Sequence, residues 1–352
     1  MSNQIFSYTN HSRFDTPEIF VSGNNDMITN LNGTTYVDCN SGLWNVNFGY
    51  NNSAYKITIP DLQFYPTHFW SSTEATELAA KQICDYFGYK RVFFGHSGSD
   101  AIDTAIYISK YTNGKSSIIA YKDGYHGSTV QADVYNCYNT LIDAIDNNTS
   151  AVIVEPIMVT KGVIEFDTVV LQRLFELKKY YKFNIIFDET VTALGRADYS
   201  FDWKPDILIA SKGLTNGVFP LSAVLVNQEI SNYIKNTNKV FSHGYTMSGH
   251  PIACNMLSKT IDLVHGIDIK AHANNFVELF QSKNLDFVNK GMIFGIRVKD
   301  GIAMKRYLQK EGYLIRQSNN VLIFMPMFTS KLENYFRFVD LLTTFQVCDQ
   351  QL

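Results

Sequence analysis

The chain has 352 residues, 45% of them hydrophobic, enough for one large domain and a smaller one around a sizeable core. A formal net charge of -3 and a pI near 6.2, with no run of Lys or Arg, exclude the basic field that grips nucleic acid or an acidic membrane surface. Five scattered cysteines, Cys39, Cys84, Cys137, Cys254 and Cys348, form no Cys-x-x-Cys pair, which argues against a disulfide framework or a zinc site.

The segment Met1-Ser-Asn-Gln-Ile-Phe-Ser-Tyr8 lacks a basic stretch followed by an apolar one, and no apolar run is long enough to span a bilayer. The expectation is a soluble, unexported, cytoplasmic protein. From about residue 73 onward, helical and strand patterns alternate. An amphipathic run over Thr73 to Phe87 predicts a helix, Arg91-Val-Phe-Phe94 a strand, Ser99 to Tyr111 a second helix, and Ser117-Ile-Ile-Ala-Tyr121 a second strand. Ala151-Val-Ile-Val154, Ile185-Ile-Phe187, Ile207-Leu-Ile209 and Leu221-Ser-Ala-Val-Leu-Val226 continue the strands, with a helix over about Val169 to Tyr181 between the first two. This alternation predicts an α/β fold, a mostly parallel sheet flanked by helices. The expected large domain is 46-254. Residues 1-45 and 255-352, where short strands such as Val321-Leu-Ile-Phe324 mix with helices, are expected to form the two parts of a smaller α+β domain.

In open sheets of this kind, ligands bind beyond the carboxyl ends of the strands, so the polar residues placed there carry the functional reading. Gly95-His-Ser-Gly-Ser-Asp100 opens the second helix, and small residues at such a turn let a phosphate reach free backbone N–H groups. Gly98 and Ser99 are the natural contacts; the plain alternative is a turn with Ser99 as the helix N-cap. Tyr125-His126-Gly follows the next strand, where a Tyr ring can lie on a planar ligand. Glu155, before Pro156, puts a carboxylate at a third strand end. Asp188 ends a fourth apolar run and Lys212 follows a fifth. A Lys and an Asp so placed suit pyridoxal 5'-phosphate (PLP), which needs an amine for its Schiff base and a carboxylate to keep the ring nitrogen protonated.

A rival reading takes Gly95-His-Ser97-Gly-Ser99 as a near match to the Gly-x-Ser-x-Gly nucleophile elbow of serine hydrolases, with Asp188 and then His243 or His250 completing the order Ser, Asp, His. Its fifth position is Ser rather than Gly, and it leaves Lys212 without a role.

Taken together the motifs resemble the class III (omega) aminotransferases, PLP enzymes of fold type I, over nearly the whole chain and in the expected order. The segments are Tyr36 to Tyr50, Phe94 to Ala101, Tyr125-His-Gly, Glu155-Pro, Asp188-Glu, Ser211-Lys-Gly and His243-Gly-Tyr-Thr246-Met-Ser-Gly-His-Pro251. The resemblance implies Lys212 as Schiff-base lysine and proton shuttle, Asp188 as partner of the pyridine nitrogen, and Tyr125 stacked on the ring. It also implies Gly98 and Ser99 on the phosphate, with His126, Glu155 and Thr190 in the cofactor's surroundings. Thr246 would reach the phosphate in the neighbouring subunit of a homodimer. Trp44 would line the substrate pocket, and Arg316 would recognise a substrate carboxylate.

The implied activity is amino transfer from an amine donor to a carbonyl acceptor by a ping-pong route. An aminomutase or decarboxylase reaction on the same scaffold is the alternative. Some positions depart from the family pattern. The usual Asp-Glu-Val reads Asp188-Glu189-Thr190, Gly-Phe-Gly-Arg reads Ala193-Leu194-Gly195-Arg196, and Gly-His reads Gly49-Tyr50. The interval from His126 to Glu155 is also short for the family.

Overall fold

The apolar runs read as strands lie side by side in a computed structural model that describes residues 7–8, 17–57, 64–67, 70–129, 132–199 and 202–348. Residues 1–6, 9–16 and 349–352, which fall in the expected terminal segments, lie outside the described residues.

The chain enters through an antiparallel meander, β1 (Phe20–Asn24), β2 (Met27–Asn30) and β3 (Thr35–Asp38), and then a single kinked turn, α1 (Ser41–Trp44). Helix α2 (Glu74–Phe87) starts where the Thr73 side chain accepts from the Thr76 N–H, and stops at Gly88, which takes the left-handed conformation a side chain resists. Strand β4 (Arg91–Gly95) leads into α3 (Gly98–Asn113), followed by β5 (Ser117–Tyr121), the short edge strand β6 (Asp133–Tyr135) and α4 (Tyr138–Asp143). Strand β7 (Thr149–Val154) is buried along its whole length. A small hairpin, β8 (Ile157–Met158) and β9 (Ile164–Glu165), precedes α5 (Thr168–Tyr181), β10 (Asn184–Asp188), β11 (Ile207–Ala210), β12 (Ser222–Val226) and α6 (Gln228–Asn236).

Strands β4 to β7 and β10 to β12 form one sheet in the order β4-β12-β11-β10-β7-β5-β6. All its pairs are parallel except those of β12, which runs antiparallel to both β11 and β4. Strands buried on both faces read as unbroken apolar runs, which is why the sequence shows them so clearly. Ile102, Ala105 and Ile108 of α3 cover one face; Leu171 and Leu174 of α5 cover the other.

The remainder is α7 (Pro251–His265), α8 (Ile269–Ser282), β13 (Phe287–Lys290), β14 (Ile293–Arg297), α9 (Gly301–Lys310), β15 (Tyr313–Leu314), β16 (Arg316–Ser318), β17 (Val321–Phe324) and α10 (Phe336–Cys348). The two chain ends meet here, since β15 pairs in parallel with β3, while β13, β14, β17 and β16 make a separate antiparallel sheet. The boundary expected between residues 254 and 255 falls inside α7, whose Cys254 and Leu257 share a core with Ala79 and Ile83 of α2.

Candidate active site

The carboxyl ends of β4, β5, β7, β10 and β11 open on one cavity of about 370 Å³. Its lining brings together Trp44, Gly98, Ser99, Tyr125, His126, Glu155, Asp188, Thr190 and Lys212. Trp44 comes from α1, outside the sheet; the others, from Gly98 to Lys212, lie far apart in the chain and are gathered by the parallel topology.

At the head of α3 the Ser97 side chain accepts from the Asp100 N–H at 3.3 Å, and Asp100 Oδ1 accepts from the Ser97 N–H at 3.0 Å, a reciprocal capping box. The N-cap is therefore Ser97 and not Ser99, because Asp100 three residues on completes the box. That leaves Gly98 and Ser99 in the first turn, facing the cavity. A Cβ on Gly98 would stand 2.8 Å from Thr190 Cγ2, so only glycine fits there. The loop after β5 folds onto the same turn, with the Ser128 N–H donating to Ser99 Oγ at 3.4 Å.

The hydrolase arrangement does not form. Ser97 is occupied as a cap, His243 Nε2 lies 2.8 Å from Thr104 Oγ1, and His250 Nδ1 accepts from the Ile252 N–H at 3.2 Å. The histidine that meets Asp188 is His126, whose Nδ1 stands 3.0 Å from Asp188 Oδ2.

Asp188 is 4% exposed, and burial favours its neutral form. Hydrogen bonds from His126 and from the Thr190 N–H, the latter at 3.1 Å, outweigh that cost and hold the carboxyl below its ordinary range. Glu155 goes the other way. Burial, reinforced by the charge of Asp188, pushes it up to about 7, although His126, the Tyr125 N–H and Lys212 pull it down. Its Oε2 accepts from the Tyr125 N–H at 3.0 Å, which ties the β5 loop to β7.

Lys212 follows β11 with φ of +36°, a left-handed conformation unfavourable for a side-chain-bearing residue and a form of strain that concentrates at functional sites. Burial lowers its amine pKa and Arg316 adds to the effect, against Asp188 and Glu155. The Trp44 ring centroid lies 5.6 Å from Lys212 Nζ and 5.1 Å from Arg316 Cζ, so one buried indole sits between two cations. Tyr125 is 42% exposed at the cavity mouth, where its hydroxyl meets that of Tyr8 at 2.5 Å; burial, then Tyr8, pushes its phenol up to about 12.

Two expected residues stand elsewhere. Arg316, on β16, is exposed and outside the cavity lining, with its guanidinium near the Trp44 ring and its charge felt by Lys212 and Tyr125. Thr246 is exposed and lines a second cavity of about 790 Å³ with Tyr65, Thr76, His243 and Tyr245. Asn47 and Arg196 lie inside recognised motifs and Asn216 just beyond Ser211-Lys-Gly, but nothing in the sequence marks their contacts: Arg196 bonds Asn47, and Asn216 bonds Phe48 and Gly49.

The family description aminotransferase class-III matches residues 8–133 and 130–344. The chain belongs to the class III aminotransferases. This aminotransferase is 28% identical over 340 residues to a succinylornithine transaminase of Salmonella newport (strain SL254), covering 86% of this chain and 82% of that protein. It is 27% identical over 352 residues to the chloroplastic gamma aminobutyrate transaminase 3 of Solanum lycopersicum, covering 82% of this chain and 68% of that one. Its fold matches that of an amine transaminase from an uncultivated Pseudomonas species, solved in the PLP-bound form, with a TM-score of 0.86 and 23% identity over 99% of each chain. The enzyme thus has the fold type I architecture.

Proposed function

We propose that this cavity is the active site of a pyridoxal 5'-phosphate-dependent aminotransferase that moves an amino group from an amine or amino-acid donor to a carbonyl acceptor in two half-reactions. The observation that carries the proposal is a buried lysine of lowered pKa, Lys212, in a cavity that also holds a charged Asp188 and the open N-terminus of a sixteen-residue helix.

The residues fit the cofactor. The first turn of α3 offers backbone N–H groups and a positive dipole end to a phosphate, and the missing side chain of Gly98 lets the group approach. Among the cavity-lining residues, His126 Nε2 and Trp44 Nε1 are buried without a hydrogen-bond partner, as expected where a polar ligand belongs. When bound, the cofactor supplies an electron sink that stabilises negative charge on the substrate carbon.

The chain's own groups do the rest. Lys212 is the covalent anchor, and its lowered pKa enlarges the neutral fraction that serves as nucleophile and as base. Asp188, kept ionised by His126, would keep a proton on the ring nitrogen of the bound cofactor. Tyr125 stands at the mouth to cover a planar ring, and Glu155 fixes that loop through the Tyr125 N–H. Arg316 holds a substrate carboxylate with its planar fork, steadied on Trp44.

The working unit is a cytoplasmic homodimer in which Thr246 serves the partner's site. Its exposed position in a cavity apart from Lys212 supports that reading, as do Val240 and Met247, apolar residues exposed beside it. Among the described residues no helix is long and apolar enough to cross a membrane.

The test is chemical. Borohydride reduction of purified protein loaded with PLP, followed by peptide mapping, is expected to place the adduct on Lys212, and an amine donor alone is expected to change the visible spectrum in one half-reaction. An adduct on another residue, or a spectrum indifferent to every amine tried, would sink the assignment.

A further inference from the structure

Arg196 is fully buried, and no carboxylate is among its hydrogen-bond partners. Its Nη2 donates to Asn47 Oδ1 at 2.5 Å, and its Nη1 to the Pro326 carbonyl at 2.5 Å and weakly to that of Met292 at 3.5 Å. The guanidinium carbon lies 4.4 Å from the centroid of the Phe328 ring, and Nε has no acceptor. Burial pushes this group down to about 9. Neutral acceptors and a ring face compensate a buried cation only in part. A merely space-filling residue would carry no such penalty.

The penalty goes with a hub. Asn47 is held twice, by Arg196 through its side chain and by the Phe328 N–H, which donates to its carbonyl at 2.7 Å. The Asn47 amide stands so close over Gly213 that any Cβ there would overlap its Nδ2. Gly213 directly follows Lys212, the residue held at φ of +36°. The next turn is pinned in the same way: Asn216 Oδ1 accepts from the Phe48 N–H at 2.7 Å, its Nδ2 donates to the Gly49 carbonyl at 2.9 Å, and a Cβ on Gly217 would come within 2.9 Å of Asn45 Nδ2. Residues 44–49 thus form a strap across the Lys212–Gly217 turn, with Trp44 above the lysine and Arg196 fastening the strap from below.

We infer that Arg196 is a positioning residue for Lys212, acting through Asn47: the guanidinium fixes the strap, the Asn47 amide presses on Gly213, and the strained lysine conformation is held in register with Asp188. This deepens the reading of Lys212 as the cofactor lysine and rests on it. A part that sets the lysine's direction affects the chemical step more than binding, because a small misplacement of a reacting group is costly in rate.

The experiment compares PLP-loaded wild type with Asn47→Ala, Arg196→Met and the double variant. Three quantities are measured: the single-turnover rate at saturating amine donor, the pH midpoint of the visible band of bound cofactor, and the melting temperature of the apoprotein. Each single substitution is expected to slow the half-reaction by about ten- to hundredfold and to shift the midpoint. The double variant is expected to be no slower than the worse single one, because the two residues act in series. Asn47→Ala decides the matter if Arg196→Met does not fold. Wild-type rates and midpoints with only a lowered melting temperature would overturn the inference, as would losses that add in the double variant. Borohydride trapping on the wild type separates the two levels of failure. An adduct elsewhere than Lys212 removes the underlying reading, whereas an adduct on Lys212 beside indifferent variants removes only the clamp.

Discussion

Replacing His126 by Leu removes the donor that faces Asp188 while filling much of the same space. The two side chains are each 4% exposed and meet at 3.0 Å, so water cannot replace the lost bond without opening the site. A hydrogen bond to a charged group contributes about 1.5 to 3 kcal/mol. Without that bond, burial raises the Asp188 carboxyl from its depressed position. The sign follows from linkage. A carboxyl whose folded-state pKa is depressed contributes stability above its unfolded value, and loses it as pH falls through the folded value. Wild type therefore keeps this contribution at neutral pH and sheds it only in acid. His126→Leu should lose about 1.5 to 3 kcal/mol of apoprotein stability at pH 7, and that deficit should narrow as pH falls and Asp188 becomes protonated in both proteins, while Glu155 and Lys212 still face the carboxyl in both. His126→Gln retains an amide donor and should recover part of the difference. Urea titrations of the apoproteins at intervals from pH 3 to 7.5 measure both effects. Equal stability of His126→Leu and wild type at pH 7, or a deficit that stays constant into acid, would show that His126 does not hold Asp188 charged.

Glu155, raised from 4.5 to about 7, is the opposite case: its contribution is present below about pH 4.5 and is lost as pH rises through about 7. Glu155→Gln should flatten the decline of apoprotein stability across that window, though only in part, because Glu189 is also pushed up to about 7 by burial. Arg316→Ala and Arg316→Lys should each weaken turnover of carboxylated donors by about 1.5 to 3 kcal/mol and leave uncharged amines nearly untouched; equal losses for both donor types would remove Arg316 from carboxylate recognition. Mixing inactive Lys212→Ala subunits with Thr246→Ala subunits should restore activity, since one site of a mixed dimer carries neither defect, and a fully active monomer in sedimentation would contradict the shared site.

The large sheet was legible because its strands are buried on both faces and read as unbroken apolar runs; Ser117 to Tyr121 was bounded to the residue. The pattern carries no direction, so the antiparallel course of β12 did not show, and neither did β6, a three-residue edge strand that is mostly exposed. The site was legible for a related reason: the polar residue that ends or follows each apolar run faces the same opening, which brought Gly98, Tyr125, Glu155, Asp188 and Lys212 together. The plain alternative placed the cap on Ser99, because Ser97 and Ser99 are both good capping types and only the Asp100 partner decides between them. Arg196 and Asn47 lie 149 residues apart, and no local rule links an arginine in a loop to an asparagine amide across the fold.

The electrostatics of the cavity follow from one physical cause acting on two groups of opposite sign. Burial lowers the Lys212 amine and raises the Glu155 carboxyl, so their titrations are drawn toward each other and toward neutrality. Asp188 escapes because His126 and Thr190 both donate to it, whereas the one donor recorded for Glu155 is the Tyr125 N–H. The result is one carboxylate held charged beside an amine and a carboxyl whose charged forms burial disfavours. A proton shuttle beside a fixed countercharge requires that division of roles. It rests on the difference between a strand-end Asp that meets a histidine and a strand-end Glu that does not, and His126→Leu tests it by bringing Asp188 nearer to the condition of Glu155.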